Sequence, residues 1–160
     1  MKRICLILIT AFFMAMCGTA NKTVSNNNES KKRSDVQYRD DFKPAGTEEK
    51  NALLKNLNAE GGTYSVLIFT QNYKGERIIV SNSKKRLYSD YTISNLKTGI
   101  AGQLRIDNTF DTKVYDNLTK RETVIEAKEA QKHKFIYLMK NPGSNNAFTI
   151  TYSNTLRPLE

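Results

Sequence analysis

His133 is the only histidine in the 160-residue chain, and histidine is the only side chain that changes charge near neutral pH without help from its surroundings. Any Ser-His-Asp arrangement would have to be built on it. It sits between Lys132 and Lys134, and strand parity puts it on the face of Phe135 and Tyr137, so a half-buried structural histidine is the favoured reading. Three aspartates, Asp107, Asp111 and Asp116, gather with Asn108 and Asn117 in DNTFDTKVYDN. Oxygen ligands of this kind suit calcium, but the spacing is not that of an EF-hand loop. Asp and Asn also bond their own backbone in turns. Paired carboxylates are the machinery of glycoside hydrolysis, yet no spacing here singles out a pair. With one His and no Cys beyond Cys17, the usual zinc ligands are missing. There is neither a glycine-rich phosphate loop nor a dinucleotide fingerprint. The expectation is therefore a protein with no cofactor, no metal and no enzymatic centre. A carboxylate-based, glycan-active enzyme is the catalytic alternative.

What remains is electrostatic. The chain has 25 Lys+Arg against 16 Asp+Glu, a net charge of +9. Residues 21–60 hold 8 basic and 7 acidic side chains, whereas residues 61–160 hold 15 and 9, so most of the excess belongs to the later part. Lys84-Lys85-Arg86 is the densest cluster and Lys120-Arg121 a second, both in predicted turns. Tyr88, with Tyr73 and Tyr91 nearby, supplies rings that can stack on sugars or bases. Lys84, Lys85, Arg86, Tyr88, Lys120 and Arg121 are thus the candidate binding residues. A surface of this sign attracts polyanions. For an exported protein these are an acidic envelope protein or an anionic glycan or lipid, and seldom nucleic acid.

Export is read from the N-terminus. Lys2 and Arg3 precede an apolar stretch from Ile4 to Met16. At about 1.5 Å per residue that helix is too short for the ~30 Å hydrocarbon core, but it suits the apolar region of a signal. Two processing routes are open. Gly18-Thr19-Ala20 offers small residues for cleavage before Asn21. Met14-Ala15-Met16-Cys17, followed by a polar tract, resembles a bacterial lipoprotein signal; that resemblance implies cleavage before Cys17, acylation of its thiol and a membrane anchor. Either route removes or consumes both cysteines, Cys5 and Cys17, leaving a domain without disulfides. The expected location is the envelope, outer-membrane- or periplasm-anchored, or secreted.

The elements that must carry these residues follow from hydrophobic period. Residues 21–46 are rich in Asn, Ser, Lys and Asp and read as a disordered tether. Residues 47–59 predict a short helix, with Thr47 as cap, Leu53, Leu54 and Leu57 on one face, and Gly61-Gly62 as stop. From Thr63 the period becomes two. Thr63–Gln71 is apolar on both faces and predicts a central strand, with Glu76–Ser81 returning as a hairpin. Further strands are predicted at 86–94, with Leu87, Tyr91 and Ile93 inward, and at 100–107, 112–116, 121–127, 132–139 and 147–153. About eight short antiparallel strands over 47–160 predict an all-β fold, a single β-sandwich of immunoglobulin-like size with one short N-terminal helix. ETVIEAKEAQK (122–132) is the ambiguous stretch; a helix there gives the α+β alternative. The functional expectation is a binding module working through a basic sheet surface. The competing class is an inhibitor or immunity protein against a toxin or hydrolase.

Overall fold

The computed structural model describes residues 34–159. The predicted signal (1–20), Cys17 and residues 21–33 of the polar tract lie outside the described residues. Among the described residues the fold is mostly β, with nine strands in two sheets and two short helices: β1 (Asp35–Tyr38), α1 (Thr47–Asn56), β2 (Tyr64–Phe69), β3 (Lys74–Ser81), β4 (Arg86–Ile93), β5 (Gly102–Asp107), β6 (Thr112–Asp116), β7 (Arg121–Ile125), α2 (Ala127–Ala130), β8 (Phe135–Lys140) and β9 (Phe148–Ser153). The larger sheet runs β1-β9-β8-β2-β5 and the smaller β4-β3-β6-β7.

Apolar residues on both faces put β2 in the interior of its sheet, between β8 and the edge strand β5. One face carries Leu67 and Phe69 into a core shared with Ile78, Val80, Val114 and Ile125 of the smaller sheet and Ile136, Leu138 and Ile150 of the larger. The other face carries Val66 and Ile68 against Leu53, Phe135, Tyr137 and Leu156. The leucine stripe of α1 thus docks on the protein's own larger sheet. Each fully buried Leu, Ile or Phe removes enough apolar surface from water to stabilise the fold by about 1.5–3 kcal/mol.

Several expectations are corrected. The helix is not N-terminal: β1 precedes it, formed by a segment expected to be tether and laid parallel to β9, with Asp35 opposite Thr149. Apolar content gave no sign of this strand because all four of its residues are exposed; the ordered edge of β9 holds it. The sheets are not purely antiparallel, since β2 also pairs parallel with β8. The expected hairpin of 63–81 does not form, because β2 and β3 enter different sheets. The chain turns at Asn72 (φ 73°) and Gly75 (φ 99°). Helix α1 begins after Gly46, without a side-chain cap from Thr47, and its last turn ends before Asn58, which takes the left-handed conformation (φ 50°). Asn tolerates that conformation, so no glycine is needed at the stop. The ambiguous stretch resolves into strand β7 and the four-residue α2.

Parity reverses along β4 after Leu87, which keeps its expected contact with the core. Register shifts interrupt the β3–β4 ladder, and an extra residue in one strand swaps which side chains face inward. Tyr88 and Thr92 therefore point into the fold opposite Val80 and Glu76, while Tyr91 and Ile93, expected inward, are 75% and 64% exposed.

Candidate functional site

The β3–β4 hairpin turn presents the basic cluster. Asn82 Oδ1 accepts the backbone N–H of Lys84 and of Lys85, both at 2.9 Å, which fixes a tight turn. Lys84, Lys85 and Arg86 are all exposed. Arg86 begins β4 opposite Ser81, and Ser81 lies opposite Lys113 of β6. Lys113 thus joins the cluster through sheet register, although it is distant in sequence.

The second candidate pair lies at the far end of the same sheet, in the β6–β7 turn, and the structure does not bring it to the first. Lys120 is exposed, with φ 58°. Arg121 instead braces the fold, donating from its guanidinium to the carbonyls of Ser144 (2.8 Å) and Asn145 (2.6 Å) in the β8–β9 loop. Tyr88 is no stacking platform: its ring centroid lies 5.4 Å from that of Phe69 and its hydroxyl 3.1 Å from Thr92 Oγ1. Tyr88 is half-buried and Tyr73 buried. Of the three tyrosines, only Tyr91 offers a ring to solvent.

Beside the basic turn lies an open cleft of about 630 Å³. One wall is Ser81, Asn82 and Ser83. The β5–β6 turn supplies Thr109, Phe110 and Asp111, and Lys113, Val124 and Ala127 complete the lining. The Lys84 ammonium sits 4.5 Å from the centroid of the Phe110 ring. Lys113 pairs with Glu122 at 3.1 Å, both side chains about half exposed, an arrangement worth little in water. Asp111 Oδ1 accepts the Ala127 N–H at 2.8 Å. Asp107 shapes the turn by accepting from the Thr109 hydroxyl (2.7 Å) and N–H (2.9 Å). These bonds, aided by the Lys84 and Arg105 charges, hold its carboxyl below the usual range.

At the opposite end the two sheets are joined by ions. The Lys140 ammonium of β8 pairs with Glu76 of β3 and, at 2.7 Å, with Asp116 Oδ2 of β6. The two carboxylates are almost wholly inaccessible and Lys140 is 11% exposed. Asp116 also accepts from the N–H of Leu118 (2.9 Å) and the hydroxyl of Thr119 (2.8 Å), and Glu76 from the N–H of Lys74 (2.8 Å). A cavity of about 240 Å³ adjoins the trio, lined in part by Asn72, Arg121, Pro142 and Phe148. Burial pushes the Tyr73 phenol well up. No spacing in sequence announces this trio. Its signal is that each charged residue continues an inward, apolar parity: Glu76 before Ile78 and Val80, Asp116 after Val114, Lys140 after Ile136 and Leu138.

Burial raises the Asp116 carboxyl, but the bonds from Lys140, Thr119 and Leu118 outweigh burial and hold it below the usual carboxylate range. A folded-state pKa below the unfolded one stabilises fully above about pH 4, the unfolded value, and the contribution disappears as pH falls through the folded value. The urea midpoint of the native chain should therefore fall as pH drops below about 4, and Asp116→Asn should flatten that part of the profile. Parallel profiles would remove Asp116 as its cause.

The three aspartates of the sequence cluster thus go separate ways, Asp107 into a turn, Asp111 onto α2 and Asp116 into the ion trio. Among the described residues no group of three or more His, Cys, Asp and Glu side chains is placed to hold a metal. His133 is half-buried beside the stacked rings of Tyr38 (5.5 Å) and Tyr152 (5.3 Å), with Nδ1 3.0 Å from the Glu129 carbonyl. It stands among these tyrosines rather than on the face of Phe135 and Tyr137, because it precedes β8 instead of lying within it. No protein-family model and no curated protein matches the chain.

Proposed function

We propose that this chain is an exported, non-enzymatic binding module of a bacterial envelope, whose smaller sheet and turns engage an anionic partner. Export through residues 1–20, with a membrane anchor if Cys17 is acylated, completes the reading. Its architecture is inferred to be one β-sandwich, the two sheets facing across their shared core.

One observation carries it. On the smaller sheet and its two hairpin turns, Lys74, Arg77, Lys84, Lys85, Arg86, Lys113 and Lys120 are exposed, against only Asp90 and Glu122 among the carboxylates. The other two acids of these hairpins, Glu76 and Asp116, are turned inward onto Lys140. Sequestering them leaves the outer surface far more basic than composition alone implies, and such a surface raises the local concentration of polyanions. Envelope proteins, acidic polysaccharides and anionic lipid headgroups are the partner classes of that sign.

A second reading, an inhibitor or immunity protein, draws on a different feature. Tyr91, Ile93 and the fully exposed Leu96 present apolar side chains along β4 and the loop after it. Beside an unpaired sheet edge they suit strand addition from a protein.

Binding to a polyanionic matrix separates the two. The basic-surface reading expects elution to track salt, because screening shortens from about 10 Å at 0.1 M to about 3 Å at 1 M. The variant Lys84→Glu/Lys85→Glu/Arg86→Glu should lose about tenfold or more in association rate. Salt-insensitive capture that is lost on Tyr91→Ser/Ile93→Ser would select the second reading.

A further inference from the structure

We infer that the cleft beside the basic turn is a saccharide subsite, taking a sugar ring that bears a carboxylate or phosphate. This deepens the binding function proposed above and rests on it. A purely electrostatic surface needs no cleft and no aromatic ring, and this one has both. Phe110 is half-buried and lines the cleft. Aromatic faces of this kind receive the C–H face of a sugar. Around it stand small polar side chains suited to ring hydroxyls: Ser81, Ser83 and Asn82. Asn82 Oδ1 is already committed to the turn, which leaves its side-chain NH₂ for a ligand.

The cations explain why the ring should carry an anion. Lys84 lies over Phe110 at 4.5 Å, and a cation–π contact at an exposed site is weak. An arriving acidic sugar offers that ammonium a full charge and the ring a C–H surface, so both partners of the contact are exchanged for better ones. Lys113 lines the same cleft, held only by its half-exposed pair with Glu122. Asp111 is the one carboxylate in the lining, and one of its oxygens is occupied by Ala127.

Calorimetry on the native chain tests this with four probes: oligogalacturonate, a phosphorylated neutral oligosaccharide, the methyl-esterified galacturonate, and polyglutamate. The subsite expects one or both acidic saccharides to bind, which tells carboxylate from phosphate. It expects the neutral ester to bind at least tenfold more weakly and polyglutamate not to share the dependence on Phe110. Phe110→Leu should weaken saccharide binding about tenfold with the salt dependence unchanged, and Lys84→Gln/Lys113→Gln should weaken it and reduce that dependence. Lys97→Gln, an exposed residue of the β4–β5 loop outside the cleft lining, should leave it near the native value. Unchanged urea midpoints show that the variants fold. If polyglutamate binds as well as the saccharides and Phe110→Leu binds normally, the basic surface stands and the subsite falls. If no polyanion binds, both fall.

Discussion

Replacing Lys140 by methionine should cost the folded protein about 3–5 kcal/mol, the loss typical of leaving one side of a buried ion group uncompensated. Lys140 is the shared counter-charge of Glu76 and Asp116, whose side chains are 1% and 0% exposed. Without it, two carboxylates on neighbouring strands face each other with little water to separate them. Urea denaturation reads the loss as a lower midpoint, and against a total stability of about 5–15 kcal/mol it is large. A companion variant makes the cause explicit. Glu76→Leu/Asp116→Leu/Lys140→Met removes all three charges, and well-packed apolar replacements of buried ion groups are often neutral or stabilising; it should recover most of what Lys140→Met loses. If Lys140→Met costs less than about 1 kcal/mol, the range of exposed ion pairs, water reaches the trio and the ions do not pin the sheets.

Phe69→Ala should cost about 3–5 kcal/mol, in the range for deleting a buried aromatic ring. Phe69 is wholly buried at the end of β2, its ring 5.4 Å from those of Tyr73 and Tyr88. It therefore belongs to the larger sheet while packing against side chains of the chain entering and crossing the smaller one. Its partner across the ladder is Gly102, where an added Cβ would lie 3.5 Å from the Phe69 ring. No side chain on that neighbour can swing in to fill the hole. The denaturant slope should stay constant while the midpoint falls. A cost below about 1.5 kcal/mol would mean that the surrounding rings collapse into the space, since the penalty depends on how far a site can relax.

Much of the larger sheet was legible because its apolar side chains keep period two, even where β2, β8 and β9 are buried on both faces. Phe148, Ile150 and Tyr152 are inward on β9, and Leu104 and Ile106 on β5, as period two requires. The doubly apolar run of β2 announced a central strand. The smaller sheet was harder to read, because irregularities in the β3–β4 ladder carry no residue signature and reversed Tyr88 and Tyr91. Strand β1 was illegible for a different reason: its hydrogen-bonding partner lies at the other end of the chain and its side chains stay largely exposed. For the candidate site, the exposed basic turn could be read directly from Lys84-Lys85-Arg86. The contributions of Phe110 and Lys113 could not, since they reach that turn only through the β5–β6 connection and the β3–β6 register. The ion trio left a trace only as charges continuing apolar parity, which becomes meaningful once three strands are known to converge.

The two parallel ladders set the order in which the chain can mature. Val66 meets Phe135, and Asp35 meets Thr149, so the larger sheet is closed by segments that emerge last. Bringing such distant segments together must overcome a loop entropy that no local turn offsets, and topologies dominated by non-local pairing fold in milliseconds to seconds rather than microseconds. The β3–β4 and β6–β7 hairpins can zip from local contacts. Strand β2, by contrast, has no β8 beside it until residue 140 has emerged, and its apolar flank stays open until then.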